Sequence, residues 1–181
     1  MTSQILASQN VNSANLYGGN IVLNAVILKN ITFNSTLSFT SGRYKTNATK
    51  QSSIYEKQLN GTYSIVNRNV SSKPFDHIPP AIGKTGLDYQ NKKYNAEVYA
   101  LYNGWKKLDK YNADGEDNAQ YATQNGIPAW LTVNLKGSIK LKTYLQLQMG
   151  IENIFDRNYR SFASGFSAPG RNYILALRAN W

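Results

Sequence analysis

The sequence predicts an all-β chain, a segment of an antiparallel transmembrane β-barrel with about seven long strands. Three observations predict it. Apolar and polar residues alternate with period 2 in runs of about 9–14 residues, where strands of ordinary soluble proteins average about 5–6. Connections alternate between tight turns at 29–30, 91–92 and 140–141 and long polar loops at 45–80, 106–126 and 156–169, as in barrels with short turns on one side of a membrane and long loops on the other. Finally, Asn, Gln, Ser and Gly interrupt even the uncharged stretch 2–28 too often for a spanning helix.

The first strand is expected at 16–28, with Tyr17, Gly19, Ile21, Leu23, Ala25 and Ile27 on one face and Val22, Val26 and Leu28 blurring the other. The second, 31–44, sets Ile31, Phe33, Leu37 and Phe39 against Thr32, Asn34, Thr36, Ser38 and Thr40. Residues 45–80 lose the alternation and close on PFDHIPP, whose prolines exclude a central strand. A local hairpin fits around Tyr55–Val66. Strands return at 82–90 and 93–105, the latter with Tyr94, Ala96, Val98, Ala100 and Tyr102 on one face. Strand 127–140 opposes Leu131, Val133 and Leu135 to Thr132, Asn134 and Lys136, and strand 142–154 opposes Leu145, Leu147 and Met149 to Gln146 and Gln148. The last strand, 171–181, aligns Tyr173, Leu175, Leu177, Ala179 and Trp181.

Composition narrows the function classes. The 181 residues hold no Cys, so neither disulfides nor a thiolate metal site is expected. Tyr is abundant at 13, and the formal charge of +10 suits a polyanionic partner or simply basic loops and a basic interior. Met1-Thr-Ser-Gln does not open a signal peptide.

With the apolar faces toward lipid, Tyr102 and Tyr173 fall near the long loops and Tyr94 and Trp181 near the short turns. Tyr94 and Tyr102 are eight residues apart on one strand, as are Tyr173 and Trp181 on another. That is roughly 26 Å along a strand, or about 20 Å across a membrane at a tilt near 40°, against an apolar band of about 25 Å flanked by aromatic girdles.

Five stretches, in order, carry a family resemblance: SANLYGGNI, STLSFTSGRY, PFDHIPPAIGKTGLDYQ, GIENIFDRNYRSF and SAPGRNYILALRANW. From about residue 14 onward the chain resembles the C-terminal barrel portion of a TonB-dependent outer-membrane receptor. Phe75 and Ile154 stand where that family usually has Leu. The resemblance implies a bacterial outer-membrane location, periplasmic short turns, extracellular long loops, and contact with lipid and lipopolysaccharide. It implies energy-coupled uptake of a scarce ligand of siderophore, haem, cobalamin or glycan type. Partners would be a plug, further barrel strands and TonB, with no nucleic acid. Tyr173, Leu175, Leu177 and Trp181 would also form the insertion signal read by the assembly machinery. Such receptors close about 22 strands around a plug, so this stretch is expected to be one C-terminal part, with plug and signal peptide outside it.

Catalytic and metal chemistry find no support. His77 is the only imidazole, which precludes a multi-His site. Counting back from Gly115 in DKYNADGED puts Lys110 at the first ligand position of a calcium loop, so these charges read as solvated. No Gly-x-Ser-x-Gly occurs, Glu152 and Asp156 read as turn residues, and no cofactor is expected. The Asn-x-Ser/Thr triplets at Asn30, Asn34, Asn47, Asn60 and Asn69 read as compositional. Arg178, Lys136, Lys140, Glu97 and Gln146 would face the barrel lumen. Two alternatives stay open. One is a small self-contained barrel whose eighth strand comes from 1–13 or 54–66, and the other a soluble β-sandwich binding glycan or nucleic acid.

Overall fold

The computed structural model describes residues 13–180. Trp181 and most of the segment 1–13 lie outside the described residues. Seven long strands form one antiparallel sheet in which chain neighbours are sheet neighbours: β1 (Ala14–Leu28), β2 (Ile31–Lys45), β6 (Ile82–Gln90), β7 (Tyr94–Asn103), β8 (Trp130–Lys142), β9 (Leu145–Glu152) and β10 (Asn172–Ala179). Between β2 and β6, β3 (Gln51–Lys57) and β4 (Tyr63–Asn69) make a separate hairpin. Short β5 (Ser72–Pro74) pairs with the end of β2. Residues 54–66 therefore do not supply an eighth long strand to the main sheet.

Local chemistry sets the short turns. Asn30 takes a left-handed φ of 69° between β1 and β2, a conformation that Asn tolerates better than most residues. Asn91 turns β6 into β7 by accepting from the backbone N–H groups of Lys93 and Tyr94, an Asx turn. The third turn lies at Thr143-Tyr144 rather than at 140–141. Lys140–Lys142 continue β8, and the pairing with β9 shifts between Lys140 and Lys142, so a bulge absorbs a residue that strict alternation would have spent in the turn. At its other end β8 starts at Trp130 because Ile127 bridges back to Lys106 and Pro128 has no N–H for a ladder.

The sheet is inside-out relative to a water-soluble protein. On one face lie exposed apolar side chains, including Val98 at 43% and Leu175 at 77% exposure. Buried polar side chains of the sheet sit on the other face, among them Glu97 at 5%, Thr132 at 2%, and Asn134. The ladder places Ala25, Phe33, Leu87, Val98, Leu135, Ile151 and Tyr173 on a single rung of the apolar face.

Candidate functional site

The three long loops gather at one end of the sheet around Lys106. Its Nζ donates to the Ile78 carbonyl at 2.7 Å and to Asp117 Oδ2 at 2.9 Å, and lies 4.4 Å and 4.1 Å from the ring centroids of Tyr111 and Phe162. Asp117 is 1% exposed, and its other oxygen accepts the His77 N–H at 2.8 Å. One lysine thus touches loops 45–80, 106–126 and 156–169. Within DKYNADGED the expectation of solvated charge fails at Asp117, which the two neighbouring loops bury; Lys110, Asp114 and Glu116 are exposed, although Asp114 pairs with buried Lys73. Residues this far apart in sequence carry no spacing signal that could have revealed the contact.

Burial sets the proton affinities here. Loss of solvent, reinforced by the charge of Asp117, raises the Asp76 carboxyl above the usual carboxylate range. Burial lowers Lys106, opposed by its bond to Asp117. Burial also pushes the Tyr111 phenol up; its oxygen has no hydrogen-bond partner. Among the described residues no group of three His, Cys, Asp or Glu side chains could hold a metal ion.

Loop 156–169 is anchored by Asn153, which is buried. Its N–H donates to Asn134 Oδ1, its Oδ1 accepts the Arg157 N–H, and its Nδ2 donates to the Arg157 carbonyl. Asp156 Oδ1 accepts the Arg171 N–H and Glu152 accepts from Asn172. Both carboxylates organise the entry to β10.

On the polar face Glu97 lies between Lys84 and Lys136, 2.5 Å from each, and both ammoniums lie over the Tyr99 ring. Gln146 donates to Ser138 at 2.7 Å. Lys140 pairs with Gln146, and Gln146 with Arg178, so the five residues expected to face the lumen occupy the same face.

The apolar face carries an aromatic line that pairing alone defines. Tyr17 pairs with Ser41, four residues beyond Leu37, and Leu37 connects through Gly83 to Tyr102. Tyr102 pairs with Leu131, four residues before Leu135, which connects through Ile151 to Tyr173. Tyr17, Tyr102 and Tyr173 are therefore three strands apart with the same four-residue stagger. At about 3.3 Å per residue and about 4.8 Å between strands, the line slopes by roughly 42°. Strands in membrane barrels tilt by about 35–45°, so in a barrel of that tilt the three rings would share one height. Tyr94 lies at the other end of β7, with Tyr89 nearby across the turn. The sequence places Tyr17 on the apolar face but not in line with Tyr102 and Tyr173, and does not single out Tyr89 beside Tyr94, because both alignments depend on register. Trp181, expected in the second row and in the insertion signal, is outside the described residues.

An open array of antiparallel strands with a lipid-type face, a polar face and long loops at one end defines a β-barrel segment. No protein-family model matches the chain, and no curated protein matches it. Solved structures do match. One, the copper transporter OprC, aligns over 92% of this chain with 18% identity and a TM-score of 0.63. The ferric enterobactin receptor PfeA of Pseudomonas aeruginosa aligns over 94%, with 18% identity and a TM-score of 0.60. The unliganded ferric citrate transporter FecA aligns over 82%, with 17% identity and a TM-score of 0.52. These are TonB-dependent receptors, and the sheet has the fold of a segment of their β-barrel. The chain spans 23% of the length of OprC and of PfeA and 21% of FecA.

Proposed function

We propose that this chain is the C-terminal part of the barrel of a TonB-dependent receptor in a bacterial outer membrane, and serves import rather than catalysis. The observation that carries this reading is the inverted burial, with Val98 and Leu175 exposed and Glu97 and Thr132 enclosed. Lipid on the apolar face removes the hydrophobic penalty that water would impose there. The short turns are then periplasmic and the long loops extracellular. The outer edges of β1 and β10 pair with other strands of the same barrel, because unpaired backbone groups facing lipid cost several kcal/mol each.

In this reading the Lys84–Glu97–Lys136 strip faces the plug, and ligand enters among loops 45–80, 106–126 and 156–169. Lipopolysaccharide surrounds the upper aromatic row, TonB acts on the plug, and Tyr173, Leu175, Leu177 and Trp181 present the insertion signal to the assembly machinery. The test is a pair of arginine substitutions in the natural gene product. Val98→Arg, at mid-height of the apolar face, should cost about 2–4 kcal/mol and reduce the folded outer-membrane form. Asn95→Arg, on the polar face of the same strand, should leave it unchanged. Equal tolerance of both would refute a lipid-facing surface.

A further inference from the structure

A cavity of about 420 Å³ opens between the segment Tyr121–Trp130 and the loop Arg157–Ser167, within the size range of small-molecule sites. Its lining contains two arginines and no carboxylate. Neither Arg157 nor Arg160 forms an ion pair among the described residues. Arg160 is held in place: Nη1 donates to the Tyr121 carbonyl and the guanidinium lies 6.0 Å from the Tyr121 ring centroid. Trp130 and Tyr159, also in the wall, pack against each other with centroids 4.2 Å apart and their planes tilted by 38°. The Trp130 indole N–H is buried without a partner.

We propose that this cavity binds a planar anionic ligand, with Arg157 and Arg160 taking its carboxylate, sulfate or phosphate oxygens and the Tyr121, Trp130 and Tyr159 rings taking its flat body. Two unneutralised guanidiniums in one wall favour an anion, because Arg presents a planar donor fork matched to oxyanions. The rings add apolar and stacking area that a simple inorganic ion cannot use. Asn153 fixes the position of Arg157 through two backbone bonds, so one guanidinium is carried on an ordered turn rather than a free loop. The proposal deepens the import reading by assigning a ligand class to two of its loops, and it rests on that reading for its biological meaning.

The test is arginine labelling by phenylglyoxal in whichever fraction of the source cells holds the chain, read residue by residue by peptide mass spectrometry. Arg68, paired with Glu56 on the β3–β4 hairpin, is the internal control. Benzene-1,3,5-tricarboxylate should reduce labelling of Arg157 and Arg160 at least fivefold and leave Arg68 unchanged. Neutral benzamide, and inorganic phosphate at equal ionic strength, should protect less than twofold. Absent protection, equal protection at Arg68, or protection by benzamide or phosphate matching the tricarboxylate would each overturn the proposal. Fractionation separates the two ideas, because recovery of the chain outside the outer membrane would sink the barrel reading without altering the labelling comparison.

Discussion

Lys106 Nζ and Asp117 Oδ2 lie 2.9 Å apart, with side chains 3% and 1% exposed, and the pair fastens three long loops at one point. A buried ion pair repays the desolvation of both charges only when further bonds satisfy them. The Ile78 carbonyl and the His77 N–H supply those bonds. The end of the molecule that sequence reading treats as polar loop therefore contains its most completely buried charges.

Removing one partner should cost far more than removing both. Asp117→Asn is expected to destabilise the loop cluster by about 3–5 kcal/mol, because it strands the Lys106 charge. Lys106→Met combined with Asp117→Leu should cost clearly less. Hydrogen exchange in residues 76–80 and 106–118 would report this. Equal exchange in the single and double variants would mean the pair is not the fastener.

Tyr111 makes a prediction about alkali. Its folded-state pKa is raised above the ordinary value by burial, so its contribution is fully present below about pH 10 and is lost as pH rises through the folded value. The cluster should thus start to lose stability as the pH passes about 10, where the phenol of the unfolded chain ionises, and lose more as the pH climbs towards the folded value. Tyr111→Phe removes a buried hydroxyl that has no partner. It should be neutral or stabilising by up to about 1 kcal/mol, and should abolish the alkaline loosening in a pH series of loop hydrogen exchange.

Gly83 supports the aromatic line. A Cβ there would come within 2.5 Å of the Tyr102 ring and of the Thr36 carbonyl, while Tyr102 Oη donates to that same carbonyl at 3.2 Å. Gly83→Ala should cost about 1–3 kcal/mol. Tyr102→Phe, which keeps the ring over Gly83, should cost about 1 kcal/mol or less. Thermal unfolding monitored by heat-dependent gel mobility would rank them.

Asn153 combines a left-handed φ of 50° with one backbone and three side-chain hydrogen bonds. Asn153→Gly should lose only the side-chain bonds, at about 2–3 kcal/mol, whereas Asn153→Ala should lose about 1 kcal/mol more to backbone strain. A reversal of that order in thermal midpoints would show that the side-chain bonds and backbone conformation have been misjudged.

Strand existence, face and direction were legible in the sequence because they depend on a local period: Leu135, Val98 and Leu175 sit two residues from apolar neighbours, and polar side chains such as Lys136 and Glu97 fall between. The turn shifted from 140–141 to 143–144 because a bulge changes register without disturbing alternation. What tertiary structure alone decided was everything set by relative height and by meetings of distant loops. The line Tyr17–Tyr102–Tyr173 exists only once the strands are staggered. Lys106, Asp117 and Phe162 come together because loops crowded at one end of the sheet must bury one another's polar atoms, and no periodicity along the chain encodes which atoms those are.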